Sequence, residues 1–250
     1  MERKADWDKK LGVIYISSST TLEREWHMAL PGTVSFHTDR ISLKDAQATE
    51  KDLLDMVNSS QIEEAAGRLA EAEIDIIVFA CTVGSLIGGP GWDKKLVKRI
   101  EAASGGIPAT STSTGLINAL AHLGAKKVSV VTPYLEELNV LEKRFLECNG
   151  FEVVNIKGFN VEKDQDIARL EAERIIDMAR EVDSPSSDCL FISCTNTRSI
   201  EVIEALEKEL KKPVLSSNQV SLWDALRKVR FSGSIKGYGS LLEQLDTARR

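Results

Sequence analysis

The chain is poor in the signatures by which function is usually read. Its three histidines, His27, His37 and His122, have no zinc-ligand spacing with the four cysteines. No C-x-x-C pair points to dithiol redox chemistry. No G-x-x-x-x-G-K-[ST] run and no G-x-G-x-x-G opening a helix is present. The glycine-rich stretch Thr82-Val83-Gly84-Ser85-Leu86-Ile87-Gly88-Gly89-Pro90-Gly91-Trp92 is therefore not read as a nucleotide cradle. It is read instead as allowing close backbone approach to a small ligand, or as a lid. Apolar runs are too short to span a bilayer, and the mostly charged Met1 to Lys10 reads as a mobile tail, not a signal peptide. An excess of positive charge is also missing. A net charge of −6 argues against nucleic acid or an anionic membrane as the main partner. It leaves room for a small anionic substrate held by local donors. The few, unpaired cysteines suit a reducing, cytoplasmic setting.

What the chain does have is core and repetition. Its 250 residues are 42% hydrophobic and 28% charged, enough for one large or two small globular units. Asp75-Ile76-Ile77-Val78-Phe79-Ala80-Cys81-Thr82 recurs as Asp188-Cys189-Leu190-Phe191-Ile192-Ser193-Cys194-Thr195, with cysteine six residues after aspartate in both copies. Each is a short apolar run of the kind buried on both faces in a parallel sheet. Each has an apolar strand upstream, Gly12 to Ile16 and Lys127 to Thr132. Each has a short strand downstream that begins at proline, Pro108 to Ser111 and Pro213 to Ser216, and then a helix.

The reading is an α/β fold of two similar subdomains, each a mostly parallel sheet flanked by helices. A pseudo-twofold relates them and places the active site between them. The N-terminal subdomain spans 11–124 and carries Cys81; the C-terminal one spans 125–230 and carries Cys194; segment 231–250 is a candidate to cross back. The glycine pair Gly105-Gly106, Gly124 and Asn149-Gly150 mark further element ends. Val34 to His37 is read as a strand and Ile167 to Val182 as one helix. Glu204–Lys208 and Glu207–Lys211 are read as i,i+4 pairs on a solvated helix face.

A free cysteine in a strand is ordinarily a small hydrophobe, and Cys148 and Cys189 are read so. Cys81 and Cys194 occupy one repeat position at the sheet edge, each followed by hydroxyl or amide residues. There, N–H groups and helix starts are expected to lower the thiol pKa. Thiols on opposite sides of a substrate permit two reactions: exchange of an α-proton, or addition of sulfur to an activated alkene, rotation and elimination. Neither requires a metal or organic cofactor. The loop Ser17 to Thr21 either caps the following helix or supplies hydroxyls to substrate. Arg40 either binds a carboxylate or pairs with a nearby acid such as Asp39, and Tyr134 either packs or points its hydroxyl into the cleft.

Glu23-x-Glu25, Phe36-His37-Thr38-Asp39-Arg40, Ala80-Cys81-Thr82, Gly89-Pro90-Gly91-Trp92, Pro108 to Thr114, Thr132-Pro133-Tyr134 with Asn139, Ser193-Cys194-Thr195-Asn196 and Pro213 to Leu226 together resemble the aspartate/glutamate racemase superfamily. Within it they are most similar to the branch of maleate cis–trans isomerases and arylmalonate decarboxylases. The resemblance implies a cofactor-independent isomerase of a small carboxylate, with Cys81 as nucleophile and Cys194 as acid/base. It implies Thr82, Val83, Thr195 and Asn196 as carboxylate donors, Tyr134 as a substrate hydrogen-bond partner, and a homodimer. It also places Ser19, beside Thr20, and Asp164 where maleate isomerases carry asparagines that hold a carboxylate. An aspartate there repels a carboxylate and suits an ammonium or neutral group. Three alternatives stand beside this reading. The first is a two-cysteine racemase of an aspartate/glutamate-like or N-acylated amino acid. The second is an arylmalonate decarboxylase-like enzyme, disfavoured because such decarboxylases keep only the second-half cysteine. The third is a non-catalytic small-acid binding protein.

Overall fold

The structure, a computed structural model, describes residues 8–245. Most of the expected N-terminal tail and the last residues of segment 231–250 lie outside the described residues. The first half runs β1 (Lys9–Ile16), α1 (Thr21–Ala29), β2 (Val34–Ile41), α2 (Glu50–Asn58), α3 (Gln61–Ala70), β3 (Ile76–Ala80), α4 (Thr82–Leu86), α5 (Trp92–Ala103), β4 (Ala109–Ser111) and α6 (Thr112–His122). The second runs β5 (Lys127–Thr132), α7 (Glu136–Cys148), β6 (Glu152–Gly158), α8 (Asp164–Ile167), α9 (Ala172–Val182), β7 (Cys189–Ile192), α10 (Ile200–Leu210), β8 (Val214–Ser216) and α11 (Ser217–Lys228), followed by α12 (Ser240–Glu243).

The two sheets have the same parallel topology, β2-β1-β3-β4 and β6-β5-β7-β8. Two four-stranded parallel sheets flanked by helices make this the α/β fold the repeat announced. All five residues of β3 and all four of β7 are buried, as a central parallel strand covered on both faces requires. The aspartate opening each copy has a mechanical role. Asp75 accepts the Lys10 N–H at 2.7 Å, and Asp188 accepts the Lys126 and Lys127 N–H groups at 2.7 and 2.9 Å. Each carboxylate thus clamps the start of its strand to the start of the neighbouring central strand. Six residues later each cysteine emerges past the opposite edge, beyond the pairs Tyr15↔Ala80 and Val131↔Ile192.

Helix starts repeat as well. Ser111 and Ser216 cap α6 and α11, their hydroxyls accepting the Thr114 and Gln219 N–H groups at 3.2 Å. α6 and α11 pack against each other, and α11 also lies on β3, so a helix of the second half covers the first sheet. One apolar core accordingly runs through both halves, from Leu11 and Trp26 through Leu116 to Leu226. Past α11, Tyr238 donates to the Met28 carbonyl at 2.9 Å.

Several boundaries differ from the sequence reading. β1 begins at Lys9, because the Asp75 clamp extends the ladder before the apolar run. β2 continues through Thr38, Asp39 and Arg40 to Ile41, paired residue by residue with β1. The stretch read as one helix from Ile167 is divided between α8 and α9. Glu207 does not pair with Lys211. It accepts from the Val214 N–H and from the Ser240 N–H and hydroxyl, tying α12 to α10. Among the described residues no helix is long and apolar enough to cross a membrane.

Candidate active site

Cys81 is the residue at which β3 becomes α4. Its sulfur caps that helix, accepting the Gly84 N–H at 3.3 Å. A Cβ on Gly84 would stand 3.0 Å from the sulfur and 3.2 Å from the Phe79 ring, so the absent side chain makes room for the thiol. Beyond Gly84, the rest of the glycine-rich stretch does not line the cavity that holds Cys81. Trp92 fills the space beside Gly88, where a Cβ would come within 2.3 Å of its ring, and its indole N–H donates to the Gly84 carbonyl at 3.0 Å. Cys194 reaches the equivalent place by a different turn. Its φ of 82° lies in the left-handed region, and its sulfur accepts the Asn196 N–H at 3.4 Å. A non-glycine residue held there carries about 1–3 kcal/mol of backbone strain and persists only where its surroundings enforce it.

Both thiols line one cavity of about 30 Å³, enough for a water or two. Ser19, Thr82, Tyr134, Asp164 and Thr195 contribute polar groups, and Val83 lies beside Cys81. Ile16, Leu43, Ala48, Leu53 and Ile167 supply an apolar cover that the sequence reading did not include. The cover comes from both halves. The segment after β2 and the segment after β6 meet in an antiparallel bridge, Gln47↔Lys163, with the Ala48 N–H donating to the Glu162 carbonyl at 2.8 Å.

The electrostatics reverse the expectation of an acidic thiol. Burial pushes both Cys81 and Cys194 up to about 12, outweighing the N–H group that each sulfur accepts. A Cys81 thiolate would also feel Cys194 and Asp164, and a Cys194 thiolate would feel Asp164; among the described residues no arginine, lysine or histidine lines the cavity. Burial likewise raises the Tyr134 phenol well above its usual range. Behind Cys194, Glu142 is fully buried and pushed up to about 8 by desolvation, with the Ser193 hydroxyl donating to it at 3.0 Å.

Asp164 is 6% exposed. Its Oδ2 accepts from the Ser18 and Ser19 hydroxyls at 2.6 and 2.8 Å, and its Oδ1 from Asn196 Nδ2 at 3.1 Å. Thr20 and Asn196 stand behind the cavity wall. Asn196 Oδ1 accepts the Thr20 and Thr21 N–H groups at 2.9 and 3.2 Å, and its amide also donates to the Asp164 carbonyl at 2.8 Å. Arg40 does pair with a nearby acid, though with Glu23 and not Asp39. It also donates to the Ser17 and Ser19 carbonyls at 3.2 and 2.9 Å, bracing the opening loop. Asp39 pairs with Arg68 at 2.6 Å. Adjacent residues of a strand point to opposite faces, which separates Asp39 from Arg40. Glu25 crosses to the other half and accepts the Ser199 and Ile200 N–H groups at 2.6 and 3.0 Å and the Asn218 amide at 2.7 Å.

Against known proteins, the profile described as arylmalonate decarboxylase matches residues 12–242. The chain is 29% identical to the maleate isomerase of Nocardia farcinica over 245 residues, 94% of this chain and 96% of the relative. It is 26% identical to the maleate isomerase of Geobacillus stearothermophilus over 246 residues, 93% of this chain and 96% of that one. Among solved structures, a cysteine-to-serine mutant of the Nocardia farcinica maleate cis–trans isomerase, with a covalently bound succinylcysteine intermediate, superposes with a TM-score of 0.89 at 26% identity. That superposition covers 94% of this chain and 98% of the other.

Proposed function

Because this chain belongs to the arylmalonate decarboxylase family, we propose that it is a cofactor-independent cis–trans isomerase of a small unsaturated carboxylate. The observation that carries the reading is the pair of thiols on one cavity. Cys81, as thiolate, forms a C–S bond to one alkene carbon. The π electrons move to the neighbouring carbon, which takes the proton of the Cys194 thiol. The former double bond, now single, rotates. Cys194, now the thiolate, removes a proton, the π bond re-forms and the C–S bond breaks, returning Cys81 as thiolate. Atoms and electrons balance with nothing consumed. The succinylcysteine of the Nocardia enzyme supports the first step, since a saturated four-carbon diacid on sulfur is what addition to maleate leaves.

Thr82 and Val83 are the first residues of α4, whose leading N–H groups have no intrahelical partner. With Thr195, they are assigned to one end of the substrate. Ser19 and Asp164 face the other, with Tyr134 beside the sulfurs and Thr20 and Asn196 holding the opening loop from behind. The apolar cover keeps the carbanion from bulk water. A second reading, racemisation of an amino acid by the same thiols, is favoured by one observation, a carboxylate at Asp164 suited to an ammonium.

The test is ¹H NMR of small cis-enoates in D₂O with the wild type, Cys81→Ser and Cys194→Ser. We expect trans product from the wild type and a loss of about 10²–10⁴-fold in each variant. Cys194→Ser should also accumulate an adduct of one substrate mass on Cys81. Conversion that survives Cys81→Ser would sink the reading. Deuterium entering the α-position of an amino acid, without alkene isomerisation, would replace it with racemisation.

A further inference from the structure

The hydrogen bonds at one end of the cavity use up the side-chain donors around Asp164. The Ser18 and Ser19 hydroxyl protons are both given to Asp164 Oδ2. The Asn196 amide gives its protons to the Asp164 carbonyl and Oδ1, and its own oxygen is taken by Thr20 and Thr21. A hydroxyl has one proton and an amide two, so each of these side-chain donors is spent. What these side chains keep for a ligand is acceptor capacity: a lone pair on Asp164 Oδ1 and those on Ser19. Among the described residues no cationic side chain lines the cavity. The outer approach is also acidic. The far side of the same cover segment, with the adjoining loop and helix, forms a surface cleft lined by Glu50, Asp55, Glu137 and Glu162 against Lys51.

We infer that the substrate is not a dianion but a cis-alkene bearing one carboxylate and one primary carboxamide, the monoamide of a cis-butenedioic acid, with its N–H₂ donating to Asp164. This inference rests on the isomerase reading above. A dicarboxylate would bring one more carboxyl group to that end and meet side chains there that only accept. The monoamide brings one negative charge fewer and the donor that Asp164 lacks. An N–H donated to Asp164 fills its open acceptor position, and sites built around such a bond discriminate steeply against ligands that cannot make it.

The experiment compares kcat/KM for the cis monoamide and for maleate by ¹H NMR, with the wild type and with Asp164→Asn. The wild type should prefer the monoamide by about 100-fold or more. Asp164→Asn turns an acceptor into a donor at that position, so the preference should fall to within about tenfold or invert. The wild-type ratio stands alone if the variant does not fold. Maleate turned over as well as or better than the monoamide by the wild type overturns the substrate assignment and leaves the isomerase reading intact. A folded Asp164→Asn that keeps the wild-type preference overturns the role of Asp164. Failure of the wild type to isomerise either compound overturns the isomerase reading, and the assignment with it.

Discussion

At Cys81 and Cys194 two effects oppose each other. A backbone N–H on each sulfur favours the thiolate, and removal from water disfavours it. Desolvation wins, and both thiols are pushed up to about 12. The free enzyme is therefore almost wholly in the protonated form at neutral pH, and its reactive thiolate fraction grows tenfold per pH unit. kcat/KM reports the free enzyme, so it should climb log-linearly from pH 7 to about 9.5 without levelling. A plateau below pH 9 would mean that a thiolate exists before substrate arrives. Residue types were readable in advance at this scale, but their partners were not. Arg40 follows Asp39 in sequence yet pairs with Glu23. Asp164 is one carboxylate among many in the sequence, and only the fold brings it to the cavity that the two sulfurs line.

Between residue and molecule, the unit that matters is the strand running from aspartate to cysteine. Its regular spacing was plain in the sequence, and the clamps at Asp75 and Asp188 explain it: they set the register, and the register sets where the sulfur emerges. The turn that follows was less legible. Glycines after Cys81 suggested a lid, whereas Gly84 belongs to a helix and yields space to the thiol. Gly84→Ala tests this. Alanine suits a helix interior better by about 1 kcal/mol, so the melting temperature should hold or rise. Its Cβ would crowd the sulfur at 3.0 Å, and kcat/KM should fall about 10–100-fold, as small displacements of a reacting group do. A variant with full activity would remove Gly84 from the account. The break between α8 and α9 has a similar origin. Ile167 packs into the cluster around the cavity, while Leu170, Ile175, Ala179 and Val182 pack into the other core. One straight helix cannot serve both.

For the molecule as a whole, the halves are joined through α6 and α11. Gly115 permits their approach: a Cβ there would lie 2.7 Å from the Val220 carbonyl oxygen, which is backbone and cannot rotate away. Asp224 stitches the same seam, accepting from Thr110 at 2.5 Å and Asn118 at 2.8 Å. Trp26 donates to the Asn218 carbonyl at 3.1 Å from the other side. Gly115→Ala should therefore cost about 1–3 kcal/mol through overpacking, lowering Tm by several degrees. Because each half carries one thiol, activity should fall further than the melting curve alone explains. Differential scanning calorimetry with steady-state kinetics checks both, and an unchanged Tm would show that the seam tolerates separation.

The sequence by itself determined the duplication, the parallel sheets, the strand end that carries each cysteine, and the kinship these motifs imply. These follow from local chemistry: apolar runs, spacing, prolines and turn residues act over a few positions, and a repeat makes them visible twice. Only the tertiary structure decided the left-handed turn at Cys194, the high thiol pKa values, the apolar cover formed by two distant segments, and the spent side-chain donors around Asp164. Each depends on groups far apart in the chain, and desolvation, closure and the allocation of donors are properties of an enclosed volume that no stretch of sequence contains.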